Sequence, residues 1–365
     1  MRAQPTWEDL PLREEIRASR PYGAPQLDLP VCLNVNENPY PPPEDVQRDM
    51  VEAVRSTLGR MNRYPDREAR VLRAKLAGYV GHGITSDQVW AANGSNEIMI
   101  QILLAFAGPG RAVLNFTPSY SMYPEYARNS HSDYITVARN ADFRIDQATA
   151  RQAIAELHPH VIVIGNPNNP TGTVVGLDII EEILQFSSAM VVVDEAYQEF
   201  SAAPSALSLV GRYGNLIVSR TMSKAFAFAG GRLGYAVAAP AVVDALRVVR
   251  LPYHLSGSTQ AIAAAALDHA DEMLAQVDHL IGLREQAITT LRAQGLTVVD
   301  SQSNFFLFGP FATRHRAWQR LVDQGVLVRE TGPEHFLRAC VGTTQEMDIF
   351  YRAVAAIWPQ ERQPE

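Results

Sequence analysis

Five short apolar runs, at residues 112–114, 161–164, 190–193, 216–218 and 235–238, each stop abruptly at small or polar residues. None is long enough for a helix, and none alternates strictly with polar positions, so each reads as a strand covered on both faces. Between them, residues 97–107, 178–186 and 240–249 carry apolar side chains at helical spacing. Covered strands alternating with helices predict an α/β fold: a large domain with a mainly parallel sheet flanked by helices. The pattern changes after about residue 256, where the chain is mostly helical and then gives short runs at 297–299, 305–308, 326–329 and 336–340. That change predicts a smaller α+β domain. Residues 46–58 and 67–79 also have helical spacing, whereas 1–45 are rich in proline and polar residues, with Pro39, Pro41, Pro42 and Pro43 close together. The expected organisation is an N-terminal arm over 1–45, a large domain over 46–255 and a small domain over 256–365. The stretch 46–65 is open to sharing between the two domains.

Open α/β sheets bind ligands at the carboxyl ends of their strands, so the residues that follow each run carry the functional information. After 161–164 comes NPNNPTG (166–172), a tight turn set by two prolines and a glycine that leaves asparagines at the sheet edge. After 190–193 comes DEAYQEF, opening with Asp194, a carboxylate on so apolar a run that it needs a partner. After 216–218 comes SRTMSK, ending in Lys224, with Arg232 eight residues further on. Upstream, ANGSNE (92–97) puts Gly94, Ser95 and Asn96 directly before a helix, which frees backbone N–H groups for an anion. Lys224 is one of only two lysines, the other being Lys75, in a chain with thirty arginines. Arginine keeps its proton, whereas a desolvated lysine can lose it and attack a carbonyl. Taken singly, each of these loops has an ordinary structural explanation. An acid, an asparagine, a lysine and an anion cradle at successive strand ends instead predict one shared crevice.

Composition removes other classes of function. A formal net charge of −7, with no block of basic residues, argues against nucleic acid or an anionic membrane as the main partner. No stretch approaches the ~20 apolar residues of a membrane span, and residues 1–15 lack the apolar core of a signal peptide, so a cytoplasmic location is expected. Two cysteines, Cys32 and Cys340, make no disulfide framework. The nine histidines form no HExxH and no cluster at ligand spacing, so no metal site is expected.

The set ANGSNE, NPNNPTG, DEAY (194–197) and SRTMSK followed by Arg232 resembles the fold-type I aminotransferases that use pyridoxal 5′-phosphate. Within them the chain is most similar to the histidinol-phosphate aminotransferase family, through PYGAPQ (21–26), LNVNENPYPPP (33–43), RYPD (63–66), SKAFAFAGGRLGY (223–235) and LRACVGT (337–343). The resemblance covers nearly the whole chain. It implies transfer of an amino group between histidinol phosphate and 2-oxoglutarate, giving imidazole acetol phosphate and glutamate in histidine biosynthesis. The mechanism it implies is ping-pong, through an internal aldimine on Lys224, which also moves the proton. Asp194 would pair with the ring nitrogen, Asn169 and Tyr197 with the ring oxygen, and Tyr120 would stack on the ring. The cofactor phosphate would rest on Ser95, Asn96, Ser223 and Arg232, with Tyr64 reaching it from the second subunit of a homodimer. Arg338 would take the substrate's anionic group, aided by Arg329 and Tyr22, with Asn38 near the substrate. One departure is Gly230-Gly231 before Arg232, where a bulkier second residue is common in the family; it removes no functional group.

Two related activities share most of these motifs, an aromatic amino acid aminotransferase and a threonine-phosphate decarboxylase. A nicotinamide dehydrogenase fits poorly, because GPG (108–110) and GGRLG (230–234) lack the G-x-G-x-x-G spacing. A ligand-sensing regulator would need a DNA-binding segment, and residues 1–45 offer none.

Overall fold

The computed structural model describes residues 4–21 and 23–363; Tyr22 lies outside them. Among the described residues, twelve strands run in chain order: β1 (Val31–Cys32), β2 (Val89–Ala92), β3 (Ala112–Thr117), β4 (Asp133–Ala138), β5 (Val161–Gly165), β6 (Met190–Asp194), β7 (Leu216–Thr221), β8 (Gly234–Ala238), β9 (Thr297–Val298), β10 (Phe305–Gly309), β11 (Val326–Leu327) and β12 (Leu337–Cys340). Seven form the main sheet, in the order β2-β8-β7-β6-β5-β3-β4. Strands β3 to β7 are mutually parallel, as the sequence pattern predicts. Strand β8 runs antiparallel to both β7 and β2. Strands β2 and β4 add two edges that the apolar runs do not announce.

Side chains alternate across this sheet and build two cores. Ile162, Ile164, Val191 and Val193 join one core, with Ile180 and Ile183 from the helix Leu177–Phe186. Val161, Val163, Val192 and Ile217 face the other way, against Ile98 and Ile102 of the helix Ser95–Phe106 and Val243 and Leu246 of Pro240–Val249. Each such side chain, fully buried, contributes roughly 1.5–3 kcal/mol, so strands covered on both faces are held rigidly. Their carboxyl ends inherit that rigidity.

The smaller sheet is antiparallel, in the order β12-β10-β9. Chain from the amino-terminal region lies against it: β1 and β11 form a separate parallel pair, Leu33 N donates to the Leu327 carbonyl at 2.7 Å, and Cys340 N, at the end of β12, donates to the Leu33 carbonyl at 2.9 Å. The helix Glu44–Leu58 then packs against Gly257–Asp268. Residues 34–37 are thereby carried from the small sheet across the carboxyl ends of the large one. No described helix is long and apolar enough to cross a membrane.

Candidate active site

A pocket of about 430 Å³ opens at the carboxyl ends of β5, β6 and β7. Its wall includes Ser95, Asn96, Tyr120, Asn169, Asp194, Tyr197, Ser223, Lys224, Arg232, Arg329 and Arg338, so the residues singled out on separate strands do meet.

The loop after β5 is rigid because its polar groups satisfy one another. Asn166 Nδ2 donates to the Val175 carbonyl and its Oδ1 accepts from Val175 N; Asn168 Nδ2 donates to Thr171 Oγ1 at 2.7 Å and to the Pro118 carbonyl at 3.0 Å. Gly172 sits at φ +73°, and a Cβ there would lie 2.1 Å from Ser301 Oγ. That frame leaves Asn169 free to face the pocket. Its Oδ1 accepts from Arg338 at 2.7 Å, and its Nδ2 donates to the Tyr197 phenol oxygen at 3.3 Å. Asn36 Nδ2 donates to the same oxygen at 3.1 Å. With two donors on its oxygen, the Tyr197 hydroxyl has its own proton to give to an acceptor in the pocket.

The Lys224 amine donates to the Val35 carbonyl at 3.2 Å. Burial, and after it the Arg338 guanidinium, bring its pKa down to about 8. About a tenth of the amine is therefore neutral near pH 7, far more than for a solvated lysine. Asp194 accepts from the Tyr123 hydroxyl at 2.9 Å through Oδ2, while Oδ1 is buried without a partner. Burial raises this carboxyl to about 6, against the bond from Tyr123. A buried carboxylate oxygen in a pocket wall calls for a cationic N–H donor, which the protonated ring nitrogen of pyridoxal 5′-phosphate provides.

The anion cradle is built by close backbone approach. Gly94, at φ +81°, caps the helix Ser95–Phe106, and a Cβ there would lie 2.5 Å from the Arg232 guanidinium. A Cβ at Gly234 would lie 2.1 Å from Ser95 N. Both glycines bring Arg232 and the first turn of the helix together, where bare N–H groups favour an anion. Ser223 adds a hydroxyl braced at 2.9 Å by Thr221 Oγ1. The donor set matches the phosphate of the expected cofactor.

Another part of the pocket wall is built on the small sheet. Arg338 lies on β12 and Arg329 on the facing segment, bridged by backbone bonds of 2.9 and 3.0 Å. Arg338 is buried, donates to the Asn34 carbonyl at 2.8 Å and sits over the Phe305 ring at 5.2 Å. Arg329 is half-buried and reaches the Gly23 carbonyl. Two guanidinium groups on one wall make that end of the pocket receptive to an anion.

Two expected residues, Asn38 and Tyr64, stand apart from this wall. Tyr22 lies outside the described residues. Asn38 closes a local turn by accepting from Tyr40 N at 3.0 Å, and it is Asn34 and Asn36 that reach the pocket. Tyr64 is 79% exposed, stacked on Tyr253 at 4.3 Å, and is not among the residues that line this pocket. The sequence reading also missed Tyr123 and Asn36. The first carries no motif of its own; the second had a signal, since asparagine tolerates the left-handed φ of +56° found there.

The sequence model of the family Aminotransferase class I and II matches residues 30–354. The chain is 54% identical over 350 residues to the histidinol-phosphate aminotransferase of Thermobifida fusca, covering 95% of each chain. It is 54% identical over 351 residues to the histidinol-phosphate aminotransferase of Nocardia farcinica, covering 94% of this chain and 91% of that one. Among solved structures it is similar to histidinol-phosphate aminotransferase from Sinorhizobium meliloti in complex with pyridoxal-5′-phosphate, with a TM-score of 0.82 and 25% identity over 90% of this chain and 91% of that one.

Proposed function

The chain belongs to the aminotransferase class I and II family, and from that premise we propose that it is a histidinol-phosphate aminotransferase of histidine biosynthesis. It moves an amino group between histidinol phosphate and 2-oxoglutarate in a ping-pong cycle, giving imidazole acetol phosphate and glutamate. The observation that carries this reading is the meeting, in one pocket, of a lysine with a pKa near 8, a buried carboxyl with one unpartnered oxygen, and a helix N-terminus bared by glycines. Curated relatives more than half identical over nearly their whole length support it.

When bound, pyridoxal 5′-phosphate supplies a carbonyl that takes up an amino group and a protonated ring that draws electron density from the carbon being deprotonated. The protein's residues do the rest. The Lys224 amine, partly neutral near pH 7, can hold the carbonyl and carry a proton to and from the substrate's α carbon. Asp194 would keep the ring nitrogen's proton in place. Tyr197 and Asn169 would bond the ring oxygen, and Tyr120 would stack on the ring. Ser95, Asn96, Ser223 and Arg232, which line the pocket, would hold the phosphate. Arg338 and Arg329 take the phosphate of histidinol phosphate in one half of the cycle and a carboxylate of 2-oxoglutarate in the other. The exposure of Tyr64 suits a role in the second subunit of a cytoplasmic homodimer.

Purified protein incubated with pyridoxal 5′-phosphate should turn yellow, and histidinol phosphate should bleach the band. Its kcat/KM for histidinol phosphate should exceed that for phenylalanine. A preference for phenylalanine would replace this substrate assignment with an aromatic one, and release of carbon dioxide from phosphothreonine would replace it with a decarboxylase.

A further inference from the structure

Tyr123 is a buried phenol that none of the roles above uses. It opens the helix Tyr123–Asn129, three residues after Tyr120, and the two rings meet edge to face with centroids 5.5 Å apart. Its hydroxyl reaches Asp194 Oδ2 at 2.9 Å. Asp194 is paired with Gly165 across β5 and β6, and a Cβ at Gly165 would stand 3.4 Å from the hydroxyl, in ordinary van der Waals contact, so the phenol packs closely beside the strand end that carries the carboxyl. Two requirements then fall on one carboxyl group. One oxygen must stay available to the pocket, and the whole group must stay ionised although it is buried.

Resting on the aminotransferase reading, we propose that Tyr123 is a positioning residue: its hydroxyl holds Oδ2 of Asp194, keeping the group charged and leaving Oδ1 for the ring nitrogen of the bound cofactor. Several groups act on that carboxyl and on its phenol. Burial and the neighbouring Glu195 carboxylate push the Asp194 proton on, while the Tyr123 hydroxyl and the Ala196 N–H pull it off, and of these two the Tyr123 bond is the stronger. Tyr197, also in the pocket wall, feels the Asp194 charge. Tyr120 and Tyr126 lie around the Tyr123 phenol, and the buried Arg139 guanidinium is within its electrostatic reach. Tyr123 itself is raised well above the usual tyrosine range by burial and by Asp194, so it remains a donor throughout the working range of the enzyme. A hydrogen bond to a carboxylate favours the ionised form, typically by on the order of one pK unit.

The test is the affinity of the cofactor-stripped full chain for pyridoxal 5′-phosphate, measured by tryptophan fluorescence quenching from about pH 5 to about pH 8. The wild type and Tyr123→Phe are compared as a ratio of Kd values, in which the titrations of the cofactor and of Lys224 cancel. Losing the hydroxyl moves the Asp194 titration up from about 6, so the variant should bind on the order of tenfold more weakly at the acid end and almost normally at the alkaline end. Placed on Asp194→Asn, the same substitution should leave the ratio flat and near one. An equal loss at every pH, or a loss that persists on Asp194→Asn, would show that Tyr123 only supports the packing and would overturn the proposal. No change at any pH would overturn it as well. A wild type that takes up no cofactor at all would bring down the aminotransferase reading itself, a result separate from any behaviour of the variant.

Discussion

Asp194 and Glu195 are consecutive and both are buried, yet they differ in what completes them. Glu195 faces Arg220, accepting through Oε2 from its Nε at 3.0 Å and its terminal nitrogen at 2.8 Å, and from the Ser205 hydroxyl at 2.7 Å. Its Oε1 accepts from Ala206 N at 2.7 Å. The same guanidinium lies 3.5 Å from Glu199, which in turn accepts from Tyr79. Every oxygen of Glu195 is thus satisfied within the chain. Asp194 has Tyr123 on one oxygen, while the other, in the pocket wall, accepts no hydrogen bond from the chain. The difference separates a carboxylate that the fold completes from one left for a ligand to complete. Substitutions on the two sides should accordingly fail in different ways: loss of stability behind the sheet edge, loss of chemistry in front of it.

The largest effect is expected in front. Lys224→Arg keeps a positive charge but loses an amine that can shed its proton, so transamination should fall by at least ~10²–10⁴-fold in kcat, the span assigned to a positioned acid or base. Thermal unfolding of the cofactor-free protein should barely move. If the variant kept most of its turnover, Lys224 could not be the reacting amine.

Behind the sheet edge the loss should be of folding. Arg220→Met leaves Glu195 and Glu199 buried without their cation, a change that costs about 3–5 kcal/mol when one partner of a buried pair is removed. Denaturant unfolding reads it directly. Asp194→Asn should do the reverse in the cofactor-free protein. The Asp194 carboxyl ionises near 3.8 in an unfolded chain but only near 6 in the fold, so folding loses ground as pH climbs between those values, and the loss stays constant above about pH 6. Removing the charge should therefore stabilise the empty protein above that pH, by up to ~3 kcal/mol, with the gain gone below about pH 4. Cofactor affinity should meanwhile drop. Equal destabilisation by both substitutions would dissolve the contrast between the two carboxylates.

That contrast also shows what the sequence could reveal. The apolar runs before Asp194, Asn169 and Lys224 are strands buried on both faces, and such runs mark their own carboxyl ends, where these three side chains emerge. Strand β4 escaped notice because it is an edge strand, DYITVA, whose residues are all exposed or half-buried. Strand β2 is four buried residues ending in two alanines, too short and small to stand out. The antiparallel direction of β8 was unreadable, since hydrophobic periodicity carries no direction. In the site, residues that touch a ligand through their own chemistry were legible, whereas Tyr123 and Asn36 matter through contacts 71 and 161 residues away in the chain. A tyrosine in TPSYSMY gives no hint of which carboxylate it will meet.

The smallest effect is expected at the other lysine. Lys75 bonds the Ala264 carbonyl at 3.1 Å and pairs with Asp268, tying the helix Arg70–Val80 to Gly257–Asp268. The pair is open to solvent, with 32% and 59% of the two side chains exposed, and exposed pairs are worth ~0–1 kcal/mol. Arginine can keep the charge and a hydrogen bond, so Lys75→Arg should leave kcat and KM unchanged and shift unfolding by less than ~1 kcal/mol. The two lysines then differ by orders of magnitude under the same substitution, because only Lys224 lines the pocket, where the amine itself and not merely its charge is needed. Should Lys75→Arg cost as much turnover as Lys224→Arg, scarcity of lysine rather than the chemistry of this pocket would be what the two residues share.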